Sequence, residues 1–360
     1  MPENLASKFL SLKGGTILKT IILEKIKSLL FFQKEYQKIK YYFYIMVSRS
    51  SIILFFCLVI SCSNDDSKLL PGSSGNINNI SVVISDELWE GEVGELIRES
   101  FSRPVYGLPQ IEPVFSLSHI PTKIFSGFAT KSRTILKIDI SAKEGSSNFK
   151  NIYASPQRII QITGKTPQKI VSIIKENLNS IYSSLYLSEI KEKQRRISKD
   201  INQTKTITNK TGVSLKFPST YRVAKSDSSF VWIRRDIETG TVNLFISRYK
   251  NRENKSIIEI RDSISKKHIP GPTEESYMET DMIYTPNTQE VYLGKKQAFE
   301  TRGLWEVENQ FMAGPFLNYS IELDSVKKDY IMIDGFVYSP GSNKRNYIFE
   351  LEAIIRSLKY

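Results

Sequence analysis

Three kinds of hydrophobic pattern follow one another along the chain. Nine consecutive apolar residues occupy positions 52–60. From residue 80 onward, short apolar runs that favour strands are interleaved with stretches of helical spacing. The longest helical pattern covers residues 167–201, where Thr166 can cap the helix and Pro167 suits its first turn. A second helical pattern follows a short buried strand. Ser85 or Asp86 can cap this helix, and its apolar stripe ends at Phe101.

Strand patterns dominate the second half of the chain. Candidate strands cover residues 213–217, 230–235, 242–249, 297–305, 316–324 and 330–339, and candidate helices cover 257–267 and 346–358. Strands outnumber helices here without strict alternation, which indicates the α+β class. The polar segment 202–212 separates the halves. We therefore predict two α+β domains, 80–210 and 211–360, each an antiparallel-rich sheet packed with helices.

The nine-residue apolar run belongs to a three-part export signal. Residues 46–61 combine a basic start, the apolar run and a small residue before a cleavage point. Nine residues rise only about 14 Å as a helix, too little for a hydrocarbon core of about 30 Å. Val59-Ile60-Ser61-Cys62 resembles the bacterial lipobox, in which the cysteine thiol takes a diacylglycerol. We predict lipidation of Cys62; a buried cysteine behind an uncleaved anchor is the alternative.

The segments on either side of this signal carry their own predictions. Residues 1–45 contain eight Lys and no Arg and are rich in Ile, Phe and Tyr, which favours a mis-assigned upstream start with translation from Met46. The alternative is a basic amphipathic helix at the membrane surface. Residues 62–79, rich in Gly, Ser, Asn and Pro, are predicted as the lipidated cysteine and a flexible tether. The pair Asp65-Asp66 resembles a surface-export signal of Bacteroidetes-type lipoproteins, or simply keeps the tether soluble.

The distribution of charged residues along the chain changes the interpretation of the formal charge of +12. Of 50 basic and 38 acidic residues, nine and three lie in residues 1–61, so half of the excess is in the predicted leader. Much of the remainder lies at the end of the long helix, around residues 191–199, which is typical of a solvated face. We therefore predict no nucleic-acid partner. With two Cys and two His, neither a disulfide scaffold, a metal site nor a cofactor is predicted.

The familiar catalytic motifs are absent from the sequence, including the nucleophile elbow, the paired-histidine zinc motif and the phosphate loops. His119 and His268 lie in patterns typical of loops or strand ends. Glu87, Glu90 and Glu95 are spaced so that they could pair as acid and base, but a solvated helix face also explains them. We predict no catalytic residue.

One cluster is a candidate binding surface. It combines Arg302, Trp305, Met312 and Phe316 around Gly314-Pro315, where glycine allows a close backbone approach. Tryptophan and arginine are residues that anchor interfaces. The alternative is a strand-loop-strand corner whose aromatic side chains lie in the core.

Several long runs resemble a known family. They are LWEGEVGELIRE (88–99), YGLPQIEPVFSL (106–117), RGLWEVENQFMAGPF (302–316), DGFVYSPGSNKR (334–345) and LEAIIRSLK (351–359). They are similar to Bacteroidetes lipoproteins grouped as domain of unknown function 4837, over residues 80–360, and the resemblance brings no activity or catalytic residue. GVSLKFPSTYRV (212–223) looks more distantly like the α/β sandwich of photosystem-associated and Mog1-type domains, which are mainly binding or assembly modules.

Together these observations predict an outer-membrane lipoprotein, periplasmic or surface-exposed, held in the membrane by its N-terminal lipid. We expect a non-enzymatic binding or envelope-assembly role with an envelope protein or a glycan as partner. The alternative is a hydrolase that acts on envelope or extracellular polymers through carboxylates such as Glu90 and Glu95.

Overall fold

A computed structural model describes residues 16–60, 69–250, 255–308 and 310–360, with side chains in the first range only for 22–46. The chain divides into two units, Met1–Leu69 and Leu70–Tyr360. The described part of the first unit is one helix, α1 (Thr16–Ile60), which continues past Met46. Among the described residues, no helix has the length and hydropathy needed to cross a bilayer. The predicted lipidation site, Cys62, lies outside the described residues.

A five-stranded sheet organises the first half of the second unit. Its strands are β1 (Asn79–Ile84), β2 (Ser116–Pro121), β3 (Thr134–Ile140), β4 (Gly145–Lys150) and β5 (Arg158–Gly164), in the order β2-β1-β3-β5-β4. Two short helices, α2 (Asp86–Glu90) and α3 (Glu92–Phe101), follow β1. The sequence predicts one continuous helix here, but Gly91 takes an extended conformation and separates the two. Ser85 caps α2 as predicted, accepting from the Leu88 N–H.

The α+β class is confirmed, but the pairing within this first sheet differs from the antiparallel-rich expectation. β1 pairs with β2 and β3 in parallel, and β3 pairs with β5 in parallel; only β4 on β5 is antiparallel. The physical reason is the length of the connections. Parallel neighbours need a crossover of a dozen or more residues, which α2 and α3 supply between β1 and β2.

A long helix, α4 (Pro167–Ile197), packs on the first sheet and continues to the second half. Thr166 caps it by accepting from the Lys169 N–H, and Pro167 occupies its first turn, as predicted. Its buried residues in the first half, such as Ile174 and Leu185, join the core of the first sheet. Ile190 and Ile197 lie instead in the core of the second sheet. One helix thereby spans both cores.

The second sheet is antiparallel throughout. Its strands are β6 (Arg222–Ser226), β7 (Phe230–Ile237), β8 (Gly240–Lys250), β9 (Met278–Asp281), β10 (Asn287–Leu293), β11 (Lys296–Val307), β12 (Ala313–Asp324) and β13 (Asp329–Tyr338), in the order β10-β11-β12-β13-β8-β7-β6, with β9 also on β11. The helices of this half are α5 (Thr206–Thr211), α6 (Ile257–His268) and α7 (Arg345–Ile355). One sheet face packs on α7 and the other on α6.

Two local predictions in this half are wrong. Residues 213–217 do not form a strand, since only Ser214 bridges to Lys359. β6, β9 and β10 had no counterpart in the sequence prediction. β10 is mostly exposed and carries few apolar residues, while β6 and β9 are only five and four residues long, too short for an alternating pattern to stand out. The predicted helices near 257–267 and 346–358 are present with small shifts at their ends.

Residues 71–79 are not a free tether. Ser73 donates its N–H to Ser155 O at 3.2 Å, and Ser74 donates to Lys131 O at 2.9 Å. Asn78 donates its N–H to the buried carboxylate of Glu189 at 2.7 Å. The composition favoured flexibility, but these backbone groups find partners on the loops of the first sheet and on α4. The interpretation as flexible chain is therefore wrong for residues 71–79.

Candidate binding cleft

A cavity of about 510 Å³ lies where the first sheet's loops and α4 meet β10, β11 and α7. Its lining includes Arg103, Tyr106, Tyr182, Tyr186, Gln289, Glu300, Arg302, Arg345, Phe349, Glu352 and Arg356. Four arginines face two carboxylates, so the lining carries a surplus of positive charge. A cleft of this size suits a small ligand.

The floor of the cleft is a closed ring of four charged side chains. Glu300 and Arg302 lie two residues apart on β11 and share a sheet face. Glu352 and Arg356 lie one turn apart at the end of α7. The four groups bridge in sequence. Arg302 Nε donates to Glu300 at 2.8 Å and its Nη2 to Glu352 at 2.7 Å. Arg356 Nε donates to Glu352 at 2.7 Å, and its Nη2 lies 3.7 Å from Glu300.

Two tyrosines complete the coordination of these carboxylates. Tyr186 on α4 donates its hydroxyl to Glu352 at 2.6 Å, and Tyr319 on β12 donates to Glu300. Glu300 and Tyr319 are direct cross-strand partners, so the sheet register itself places them together. Burial and the adjacent carboxylates raise the pKa of both tyrosines well above the ordinary value. Both phenols therefore stay protonated and remain donors.

The ring holds the Glu352 carboxylate ionised. Burial alone would raise the pKa of Glu352, but the guanidinium groups of Arg302 and Arg356 outweigh it and hold the pKa below its usual range. The same carboxylates raise the pKa of Arg302 further above its usual value, against the effect of its burial. Groups held this firmly in one charge state are poor proton donors or acceptors near neutral pH.

The surplus arginines line the cleft outside the ring. Arg103 lies over the Tyr182 ring at 4.4 Å, and Tyr182 stacks on Tyr186 with centroids 5.7 Å apart. Arg345 donates from Nη1 to Pro113 O at 2.9 Å. Burial lowers the pKa of Arg345. Among the described residues, neither guanidinium has a carboxylate within 4 Å.

One carboxylate from the first half fixes the start of α7. Glu112 is buried and accepts from the backbone N–H groups of Lys344 at 2.7 Å and Arg345 at 3.0 Å. It supplies the capping acceptor that Lys344, the residue at the N-cap position, does not. Arg345 is thereby held at the cleft by contacts from the other half of the unit.

The predicted binding cluster divides between two places. Arg302 lies in the cleft, but Trp305 and Phe316 are each only 1% exposed and Met312 packs beside them. These three share the core between the sheet and α6, so they do not form a surface. Strand alternation gives the reason, since residues 302 and 305 point to opposite faces of β11. Gly314 does allow the expected close approach, because an added Cβ would lie 2.0 Å from Val337 O.

The other candidate residues lie away from the cleft lining. His119 stacks on Trp89 with centroids 4.9 Å apart, and His268 stacks on Phe230 at 4.0 Å. Glu87, Glu90 and Glu95 are exposed on α2 and α3. None of these lines the cleft.

Sequence reasoning missed most of the ring. Glu300, Glu352, Arg356 and Tyr186 were not singled out. A signal was available in the last helix, where Glu352 and Arg356 stand four residues apart beside an apolar stripe. Asp334 is a further buried carboxylate, fully enclosed in β13, where it accepts from Arg261 Nε at 2.8 Å. Burial raises the pKa of Asp334, and Arg261 offsets this only in part.

The architecture places the chain among α+β proteins built from a mixed sheet and an antiparallel sheet with shared helices. Residues 200–357 match the family described as Domain of unknown function (DUF4837), and residues 73–198 match one described as Domain of unknown function (DUF8532). The match over residues 200–357 confirms the predicted resemblance to the DUF4837 family for this part of the chain. The resemblance was drawn too widely at its N-terminal end, since that part matches the second family.

Two solved structures are similar to part of the chain. The Saccharomyces cerevisiae Ran-binding protein Mog1p is 7% identical, with 41% of this chain and 89% of that chain covered and a TM-score of 0.27. A mutant of the protein Mog1 is 8% identical with the same coverage and a TM-score of 0.26. Among curated proteins, none matches significantly.

Proposed function

We propose that this chain is a non-enzymatic binding module of the cell envelope, anchored by a lipid on Cys62, that holds an anionic ligand in the cleft. The observation that carries the proposal is the positive surplus of the cleft. Its two carboxylates are already neutralised by Arg302 and Arg356, which leaves Arg103 and Arg345 to meet a ligand.

The chemistry of these two arginines favours a carboxylate or phosphate group. A guanidinium binds such groups through two parallel N–H donors, and charge-assisted bonds are the stronger hydrogen bonds. Both arginines flank the short bridge between Pro104 and Pro113, because Val114 donates to Arg103 O and Arg345 donates to Pro113 O. Both residues also line the same cavity of about 510 Å³, which supports one ligand contacting both.

The cleft gives little support to the alternative hydrolase. A glycosidase needs one carboxylic acid with a raised pKa and a free carboxylate. Glu300 and Glu352 are instead each bound by two arginines and a tyrosine, and the pKa of Glu352 is lowered. The exposed Glu90 and Glu95 are outside the cleft. These contacts favour binding over proton transfer.

Calorimetric titration of the full chain with pyrophosphate and with citrate tests the ligand class. Both should bind the wild type, and trehalose, which is neutral, should not. The Arg103→Ala/Arg345→Ala double variant should lose at least about tenfold in affinity, since two charge-assisted contacts are removed. The matched control is Arg222→Ala, an exposed arginine outside the cleft. Absence of binding, or equal binding by the double variant, would overturn the proposal.

The anchor is tested separately. The lipobox resemblance at residues 59–62 supports it, and an outer-membrane location on the periplasmic or external side follows as part of the proposal. Cys62→Ala should leave the chain without lipid, and mass spectrometry of the intact protein detects the missing acyl groups. Surface protease treatment distinguishes the two sides. A Cys62→Ala variant with the mass and fractionation of the wild type would refute the anchor.

A further inference from the structure

We infer that the loops 122–132 and 149–157 form a membrane-docking surface, by which the folded body rests on the bilayer to which Cys62 tethers it. The inference rests on the proposed lipid anchor and adds a second, non-covalent contact. Its occupant is the headgroup and acyl boundary of that same bilayer.

These two loops expose an unusual share of large apolar side chains. Phe128 is 75% exposed and Ile124 is 62% exposed, both on the short 3-10 turns between β2 and β3. Ile152 and Tyr153 are exposed on the neighbouring loop. Phe125 contacts Tyr153 edge to face with centroids 6.0 Å apart, which makes the two loops one surface.

The loops are held together from below. Gln157 is buried, and its amide donates to Thr130 O at 2.7 Å and to Ser132 O at 2.8 Å. The Tyr153 N–H donates to the Gln157 side chain at 2.9 Å. These hydrogen bonds fix the two loops to each other, so the apolar side chains are exposed on a structured surface.

The charge of the loops complements an anionic lipid surface. They contain Lys123, Lys131 and Lys150 and no acidic residue. Among the described residues, none of these lysines has a carboxylate within 4 Å. The pKa of Glu87 is lowered mainly by hydrogen bonds from its backbone and Ser85, and Lys123 adds only a small effect. Apolar side chains flanked by lysines are typical of surfaces that lie at the headgroup and acyl boundary.

The short stretch of chain between Cys62 and these loops supports the membrane as the occupant. The Ser155 N–H donates to Pro71 O at 2.9 Å, and the Ser74 N–H donates to Lys131 O at 2.9 Å, so residues 71–74, near the start of the second unit, lie on these two loops. Only eight residues, 63–70, lie between Cys62 and Pro71. If the segment has the flexibility that its composition predicts, eight residues reach roughly 14–17 Å. A lipid on Cys62 would thus hold these loops within a short distance of the bilayer.

Site-directed fluorescence in proteoliposomes tests the surface. In the processed protein, Cys57 is removed with the predicted signal and the Cys62 thiol carries the lipid. Phe128→Cys therefore provides a single free thiol for bimane labelling. Lipids with a spin label near the headgroup should quench this bimane by about twofold or more relative to unlabelled lipids. The control is Val326→Cys, 91% exposed on the turn between β12 and β13, where no quenching is expected.

A charge variant and a fractionation assay make the outcomes separable. Lys123→Glu/Lys131→Glu/Lys150→Glu should reduce the quenching at position 128 while the protein stays in the membrane fraction. Quenching equal at positions 128 and 326 in anchored protein would overturn the docking surface. A bimane shifted to an apolar environment without lipid quenching would indicate a protein partner and would also overturn it. Loss of wild-type protein from the membrane fraction would instead refute the anchor.

Discussion

Arg302 shows how much one side chain contributes to this molecule. It bridges Glu300 and Glu352, two carboxylates that are 3% and 1% exposed, and so joins β11 to α7. Two carboxylates this close repel unless cations lie between them. Arg302 therefore has two roles: it allows α7 to pack on the sheet, and it lines the cleft.

Replacing Arg302 by Met should lower the free energy of unfolding by about 3 kcal/mol, because it leaves buried carboxylates short of a partner. Urea denaturation of the full chain measures the change. Arg234→Met is the control, since it removes an exposed ion pair worth about 0–1 kcal/mol. Equal losses in the two variants would show that the ring does not stabilise the fold.

His268 gives a prediction about pH. It lies at the end of α6 with only 7% exposure, and burial lowers its pKa, with Lys225 and Lys267 acting in the same direction and Asp227 against it. The unfolded chain then binds more protons than the folded chain once pH falls below about 6.5. Stability should be complete above that pH and fall as the solution is acidified toward the lower folded pKa.

Urea midpoints at pH 8 and pH 5.5 test this prediction. The wild type should lose more stability between the two than His268→Gln, in which the titrating group is absent. The difference between the two proteins isolates His268 from the carboxylates that titrate at lower pH. Parallel pH profiles would contradict the assignment.

At the scale of elements, the close contact of β12 with β13 depends on a missing side chain. A Cβ on Gly314 would lie 2.0 Å from Val337 O and 3.2 Å from Trp305 Nε1, in the core beneath α6. Gly314→Ala should therefore cost about 1–3 kcal/mol through overpacking. Gly72→Ala, where nothing lies within 4 Å of the added carbon, is the thermal-melting control and should change little.

Elements also show where sequence patterns succeed and fail. Amphipathic helices were predicted well, as for α4, because their caps and spacing are local properties. Edge strands such as β10 were missed, since their exposed residues lack an apolar rhythm. The parallel pairing of the first sheet depends on how connections cross it, which no local pattern encodes.

At the scale of the whole unit, Glu112 joins the two halves. Its carboxylate accepts from the first N–H groups of α7, 232 residues further along the chain. Glu112→Ala should lower the free energy of unfolding by about 1–2 kcal/mol, as for the loss of a helix cap. Glu112→Gln keeps an acceptor and should lose less. Hydrogen exchange at Lys344 and Arg345 reports the local effect, and unchanged exchange in the alanine variant would contradict it.

The sequence by itself determined the α+β class, the main helices and the candidate signal with its cysteine, because each is written in contiguous residues. It also singled out Arg302 as a candidate binding residue, which the structure places in the cleft lining. The tertiary structure decided that Arg302 and Trp305 lie on opposite faces of β11, that residues 71–79 are bound to the body, and that Arg103 and Arg345 share one cleft. These results depend on packing between residues far apart in the chain, where burial and charge pairing rather than local propensity set the free energy.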